Sequence, residues 1–169
     1  MQTHQILPIA ITGETILTRP AQQVTQFDDV LRRLADNMLS TMLAAKGVGI
    51  AAPQIFSDAA MFIMASHPNE RYPNAPEMAP TVVINPHILS VSTEKEAGIE
   101  GCLSIPNRRL SILRHSQIEV KYQSLNGQLQ QQTLTGFVAR IFLHEFDHLQ
   151  GITLLERVTM ADPLAEAQQ

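Results

Sequence analysis

The sequence holds a single cysteine, Cys102, so an internal disulfide is excluded. It has no run of Lys or Arg, and its net charge is −4, which argues against a phosphate-backbone surface as its main business. No apolar run approaches the roughly 18 residues that a membrane span needs. The opening Met1-Gln2-Thr3-His4-Gln5 lacks the basic start of a secretory signal. No internal repeat is visible. These absences make the cytoplasm the expected location. What is present is ordinary for a globular chain. Its 169 residues are 44% hydrophobic and 17% charged, enough for one domain over 1–169 with a core of its own.

Hydrophobic spacing then divides the chain. Val30, Leu31, Leu34, Met38, Leu39 and Met42 recur on one helical face, predicting a helix over 27–45. Thr25 with Asp28 is a capping signal, and Gly47 is placed to end the helix. Met61-Phe62-Ile63-Met64 reads as a buried strand, and Thr81-Val82-Val83-Ile84 as a β-branched one. Four of the ten prolines fall between Pro68 and Pro80, so 66–80 is expected to be a surface loop. Ile118, Val120 and Tyr122 alternate with polar residues, and Asn126-Gly127 turns the chain into 128–134. A helix from about Phe137 to Leu149, closed by Gly151, is the last strong element. Pro163 and the Ala- and Gln-rich end predict a frayed tail over 159–169. Short strands, hairpins and two helices make the expected class α+β.

Inside that last helix stands His144-Glu145-Phe146-Asp147-His148, an H-E-x-x-H pattern. A helix turns about 100° per residue, so four steps bring His148 within about 40° of His144, one turn along. Two imidazoles on one stripe can grip one metal ion, and Glu145 is close enough to act as a base on water at that ion. Phe137 and Ile141 share the stripe, giving the metal face a partly apolar wall, while Arg140 lies about 40° away on the same side. The alternative is a core helix with two satisfied histidines, but Glu145 and Asp147 are costly to bury without partners. The pattern arises by chance too, so its weight depends on a third ligand and a group that polarises substrate.

Cys102 lies in Glu100-Gly101-Cys102-Leu103-Ser104-Ile105-Pro106. Alone, such a cysteine is a small buried hydrophobe. As a thiolate it completes a Cys/His/His set with a fourth position open. A nucleophilic cysteine is the competing reading, and it leaves H-E-x-x-H unexplained. Gly47-Val48-Gly49-Ile50-Ala51-Ala52-Pro53-Gln54 follows a helix and lacks both a third phosphate-loop glycine and a Lys-Ser/Thr pair, so it is no phosphate cradle. It can instead hydrogen-bond an extended peptide, and the Gln54 amide can donate to a developing oxyanion. A tight loop with an exposed glutamine is the alternative.

These three segments, in this order and at this spacing, resemble those of the peptide deformylase family, with a likeness running from about Ile6 to Val158. The resemblance implies antiparallel sheets around a central metal-bearing helix, plus an N-terminal helix. It implies removal of the N-formyl group from the formyl-methionine of new polypeptides, releasing formate. One divalent ion, Fe²⁺ with Zn²⁺ or Ni²⁺ as substitutes, would be held by Cys102, His144 and His148. Glu145 would be the acid/base group, with Gln54 and the Leu103 N–H as oxyanion donors. Val48, Phe137 and Ile141 are candidates for the methionine pocket. Gly49 and the segment after Pro106, with Arg109, are candidates for binding the peptide, and Glu100 and Asp147 for steadying the ligands. The implied partners are nascent formylated N-termini and, transiently, the ribosome, for a monomer with no nucleic-acid motif and no membrane span.

The chain departs from the family pattern at three places. Leu143 precedes His144 where the family usually has Gln, removing one polar contact. Ile50 stands for Leu, and Glu156 for Asp near an end without the long C-terminal helix some members use at the ribosome. Two other readings compete. Another H-E-x-x-H metallopeptidase would need a downstream His or Glu ligand, yet no His follows His148 and only Glu156 and Glu166 follow as Glu. A non-catalytic binder of formylated N-termini would be expected to have lost Glu145, Cys102 or Gln54, and all three are present.

Overall fold

The computed structural model describes residues 4–159, so the tail beyond residue 159 and its predicted fraying lie outside them. Helix α1 spans Asp29–Ala44 and buries Leu31, Ala35, Met38 and Met42. Its cap is Asp28 rather than the Thr25–Asp28 pair. The Asp28 backbone is extended, and its carboxylate accepts the Leu31 N–H at 3.0 Å, one of the helix's orphan donors. The other end also differs from expectation. Lys46, at φ 58°, takes the left-handed position assigned to Gly47. The Lys46 N–H then reaches the Leu43 carbonyl and the Gly47 N–H that of Met42, closing the last turn. Gly47 lies close against Leu103, whose Cδ1 would be 3.0 Å from a Cβ there and would have to shift. Val30, predicted on the buried face, is exposed at that face's edge.

Strands β1 (Gly49–Ala51), β2 (Met61–Met64) and β3 (Thr81–Val91) follow in chain order. Next come β4 (Lys95–Cys102) and β5 (Ile105–His115), which pair as a separate hairpin, then β6 (Gln117–Gln123) and β7 (Leu129–Thr135). One antiparallel sheet runs in the order β1-β2-β3-β6-β7. The predicted strand 81–84 runs on to Val91. Asn85, at φ 51°, and Pro86 break its register with β6 without ending it. The β4–β5 hairpin had no sequence signal, since glycines and arginines interrupt its alternation. The segment 66–80 contains neither helix nor strand, as expected of a loop.

Helix α2 spans Gly136–Leu149, and a short helix α3, Leu154–Thr159, follows where none was expected. Gly151 closes α2 at φ 76°, and a Cβ there would press to 2.8 Å from the Thr18 backbone, so conformation and space both ask for glycine. The two large helices lie on opposite faces of the β1–β2 region. Met61 and Ile63 pack with Met38 and Met42 of α1, whereas Phe62 and Met64 pack with Phe142 and Ile141 of α2. That two-sided cover explains why β2 is buried at every residue. Phe62 meets Phe142 edge to face with ring centroids 5.1 Å apart. The result is α+β, antiparallel sheets around a central helix, as the resemblance implied. No helix among the described residues is long and apolar enough to cross a membrane.

Candidate active site

Helix α2 presents His144 and His148 from one stripe, and the last residue of β4 brings Cys102 to them. Cys102 Sγ is 3.4 Å from His148 Nε2, and one ligand atom from each of the three residues lies within 4.8 Å of the others. All three side chains are buried. Burial opposes the thiolate, but the facing imidazoles of His148 and His144 hold the Cys102 thiol well below its ordinary pKa. Burial likewise opposes a charged His144, and its contacts with Cys102 and Glu100 outweigh that and raise it. A thiolate and two imidazoles around one point suit a borderline divalent cation.

Glu145, beside this triad, is 4% exposed, and its Oε2 is a buried oxygen with no partner among the described residues. Removal from water pushes its carboxyl up to about 7 against the pull of the two histidines. Gly49 makes room for it, since a Cβ there would sit 2.7 Å from Glu145 Oε1. Gln54, which could have been an exposed loop residue, is 1% exposed. Its Oε1 accepts the Ala51 N–H at 2.9 Å, and its Nε2 points at Ser104 Oγ (3.1 Å) and Cys102 Sγ (3.6 Å). Leu103 occupies the tight turn between β4 and β5, directly after Cys102. Ser104, on which Gln54 leans, carried no separate signal.

Behind the ligands lies a network of buried charge. Glu100 Oε1 accepts from His144 Nδ1 (2.8 Å) and Arg114 Nη2 (2.9 Å). Its Oε2 accepts from Arg114 Nε (3.0 Å) and Arg140 Nη1 (2.7 Å). Burial alone would raise this carboxyl, but the His144 and Arg114 contacts bring it down to about 2. As a permanent acceptor, Glu100 makes His144 Nδ1 the donor and leaves Nε2 free to face an ion. Asp147 accepts from Arg114 Nη1 at 2.6 Å and from both ends of the Arg157 guanidinium. The partners that bury Asp147 and Glu100 are therefore three arginines, of which the helix spacing had placed only Arg140 beside His144. Leu143 sits in the apolar cluster of α2, 7% exposed, away from this network.

A cavity of about 40 Å³ leads to Cys102, His144 and Glu145. Val48, Gly49, Gln54, Cys102, Leu103, Phe137, Ile141, His144 and Glu145 line it, so nearly all the expected site residues meet there. His148 and Asp147 do not line it, and Arg109 lines an adjoining groove that shares Tyr72 and Phe137 with it. The Arg109 guanidinium lies 5.0 Å over the Tyr72 ring and donates to the Arg71 carbonyl. Tyr72 itself, hidden in the proline-rich loop, packs on Phe137 and accepts the Gly101 N–H on its hydroxyl at 2.9 Å. The loop thus walls the site, and its one tyrosine was the only signal available. β1 is an edge strand whose first residue, Gly49, borders the same cavity together with the preceding Val48, leaving a backbone edge there for an extended peptide.

A buried Cys/His/His set, an ion-paired orienting carboxylate and a free glutamate beside it define a hydrolase centre of the metal-dependent class. Sequence comparison narrows the class. The model of the polypeptide deformylase family matches residues 6–163. Peptide deformylase 2 of Shewanella oneidensis is 58% identical over 163 residues, 96% of this chain and 90% of that protein. Peptide deformylase 2 of a Nostoc species is 50% identical, over 91% of this chain and 87% of that protein. The crystal structure of a class I type b peptide deformylase from Acinetobacter baumannii with Met-Ala-Ser bound superposes with a TM-score of 0.90. It is 46% identical and covers 92% of this chain and 99% of that one. The chain belongs to the polypeptide deformylase family. Its activity is hydrolytic removal of the N-formyl group from newly made polypeptides.

Proposed function

We propose that Cys102, His144 and His148 hold a single Fe²⁺, which Zn²⁺ or Ni²⁺ can replace, and that Glu145 is the proton carrier of deformylation. The observation that carries this reading is the unpartnered Glu145 Oε2, buried beside three clustered ligand atoms. An ionisable oxygen is costly to bury in that state unless something arrives to meet it. Bound by this triad, the cation supplies Lewis-acid chemistry, polarising the formyl carbonyl and acidifying water.

The chain's own residues do the rest. Glu145 takes a proton from the attacking water and returns one to the leaving amine, releasing formate. The Gln54 amide and the Leu103 N–H donate to the oxygen that gains charge as the formyl carbon becomes tetrahedral. Gln54 is ready for this because Ala51 and Ser104 pin its two ends. The edge of β1 at Gly49 pairs with the peptide backbone, and Val48, Phe137 and Ile141 enclose the methionine side chain. Arg109, in its adjoining groove, meets residues further along the peptide. Glu100 steadies His144, whereas Asp147, expected to steady a ligand too, is taken up by Arg114 and Arg157 and leaves the buried His148 Nδ1 without a partner among the described residues. The protein acts as a monomer in this reading. Its substrate emerges from the ribosome, which supports transient contact there, in the cytoplasm.

Glu145→Gln tests the assignment. Formate release from formyl-Met peptides should fall by about two to four orders of magnitude, with metal content unchanged by elemental analysis. Near-normal turnover would sink it.

A further inference from the structure

Two of the three proposed ligands stand on α2 and the third on the β4–β5 hairpin. That hairpin shares no strand pairing with the five-stranded sheet. Something other than sheet hydrogen bonds must therefore set how far Cys102 stands from His144 and His148. Arg140, one turn before His144, makes the connection. From α2 its Nη1 donates to Glu100 Oε2 (2.7 Å) and to the Ile112 carbonyl (2.9 Å), and its Nη2 donates to the Glu96 carbonyl (2.7 Å). These acceptors are a side chain of β4, a backbone group of β5 and a backbone group of β4. Backbone carbonyls cannot shift without moving the strands, so these bonds register the position of the hairpin itself.

Gly98 is the matching half. It lies two residues before Glu100 on the same face of β4, and its φ is outside the left-handed range. Space is what demands glycine there. A Cβ would fall 2.6 Å from Arg140 Cζ, 2.8 Å from Nε and 2.9 Å from Nη2. The guanidinium passes through the volume that any other side chain would fill. Downstream, Arg114 of β5 reaches Asp147 of α2 at 2.6 Å. Helix and hairpin are thus tied on both sides of His144.

We propose that Arg140 and Gly98 form a matched strut that holds α2 and the β4–β5 hairpin in register, so that Cys102, His144 and His148 are aligned before the ion arrives. Arg140 is here a positioning residue, and the proposal rests on the ligand set assigned above. Two features separate it from a merely stabilising ion pair. It requires metal affinity to fall when Arg140 is cut, and it requires Gly98→Ala to act through Arg140.

The test is competition for Zn²⁺ between a chromophoric chelator and the metal-free chain, for the wild type, Arg140→Met, Arg140→Lys, Gly98→Ala and the Gly98→Ala/Arg140→Met double variant. Arg140→Met and Gly98→Ala should each weaken Zn²⁺ binding about ten- to a hundredfold, the range for residues that orient metal ligands. Arg140→Lys should recover part of the loss. The double variant should bind no more weakly than Arg140→Met alone, because the unbonded end of a methionine can swing aside from the new Cβ where a guanidinium held by three acceptors cannot. Wild-type affinity in Arg140→Met, or full additivity in the double variant, overturns the strut. So does a change confined to KM at full metal loading, which would make Arg140 a wall of the substrate pocket. If Arg140→Met does not fold, Gly98→Ala decides, since it keeps every charge, and unaltered Zn²⁺ affinity there overturns the proposal. A wild-type chain that takes up no Zn²⁺ overturns the ligand set and the strut with it.

Discussion

The two flanks of α2 are held by opposite means. Toward the five-stranded sheet the helix shows Ala139, Phe142 and Leu149, and the contact is apolar throughout. Toward the hairpin it shows Arg140, His144 and Asp147, and the contact is a chain of buried ion pairs through Glu100 and Arg114, which half-buried Arg157 of α3 extends at Asp147. Apolar packing is non-directional, so it fixes that the helix lies on the sheet without dictating orientation to a few tenths of an ångström. Charge-assisted hydrogen bonds are directional, and leaving one unmet in a dry site is expensive. The molecule uses area where it needs adhesion and geometry where it needs aim. Glu145 belongs to neither flank, and it is the carboxylate left free for chemistry.

This division can be broken from each side. The largest effect is expected on the charged flank. Glu100→Ala leaves Arg114 and Arg140 buried without their shared carboxylate and frees His144 Nδ1. It should cost about 3–5 kcal/mol in denaturant unfolding and lose metal during purification. Full metal retention would contradict the orienting role given to Glu100. Phe142→Ala attacks the apolar flank. A cavity beneath Phe62 should lower stability by about 3–5 kcal/mol, while the protein that remains folded keeps its metal and most of its kcat. If metal affinity fell in step with stability, the two flanks would not be separable.

Gly49→Ala sharpens the boundary between them. Its Cβ must displace Glu145 Oε1, 2.7 Å away, and meets the apolar flank only at Ile141 Cγ2, 3.1 Å away. A misplacement of this size can cost about a hundredfold in kcat, with stability and metal content nearly unchanged, and an unaltered kcat would show that the carboxylate has room to spare. The smallest change is Tyr72→Phe, which removes the acceptor of the Gly101 N–H. A loss of about 1 kcal/mol in stability or a modest rise in KM should follow, readable by thermal melting and steady-state kinetics. No change in either would reduce Tyr72 to wall packing with Phe137.

Legibility in the sequence followed local spacing. His144 and His148 were visible because a helix repeats every 3.6 residues. The buried alternation of Ile118, Val120 and Tyr122 was visible because a strand repeats every two. Cys102 and Gln54 became informative when their motifs stood together with H-E-x-x-H. What escaped was whatever depended on partners distant in the chain. Arg114 and Arg157 are ordinary surface-type residues until Asp147 and Glu100 are seen beside them. Tyr72 looked like part of a loop and is a wall of the site. Gly98 looked like a weak point in a strand and is a space for a guanidinium 42 residues away (140 − 98). Helix ends were read one position off at Gly47 and misassigned at Thr25. The left-handed residue and the capping side chain are chosen by backbone geometry as much as by residue type.

By itself the sequence determined the α+β class, the helix that carries the histidines, the three motifs and the family to which they belong. Each is written in residue type and short-range period. Only the tertiary structure decided that Glu145 stands alone, that Gln54 is buried against Ser104 and that Arg109 lies in a neighbouring groove. It also decided that arginines from three elements hold Glu100 and Asp147. These depend on through-space distances of about 3 Å between segments dozens of residues apart. No local pattern encodes such distances, because the intervening chain can close them in many ways and only the packed core selects one.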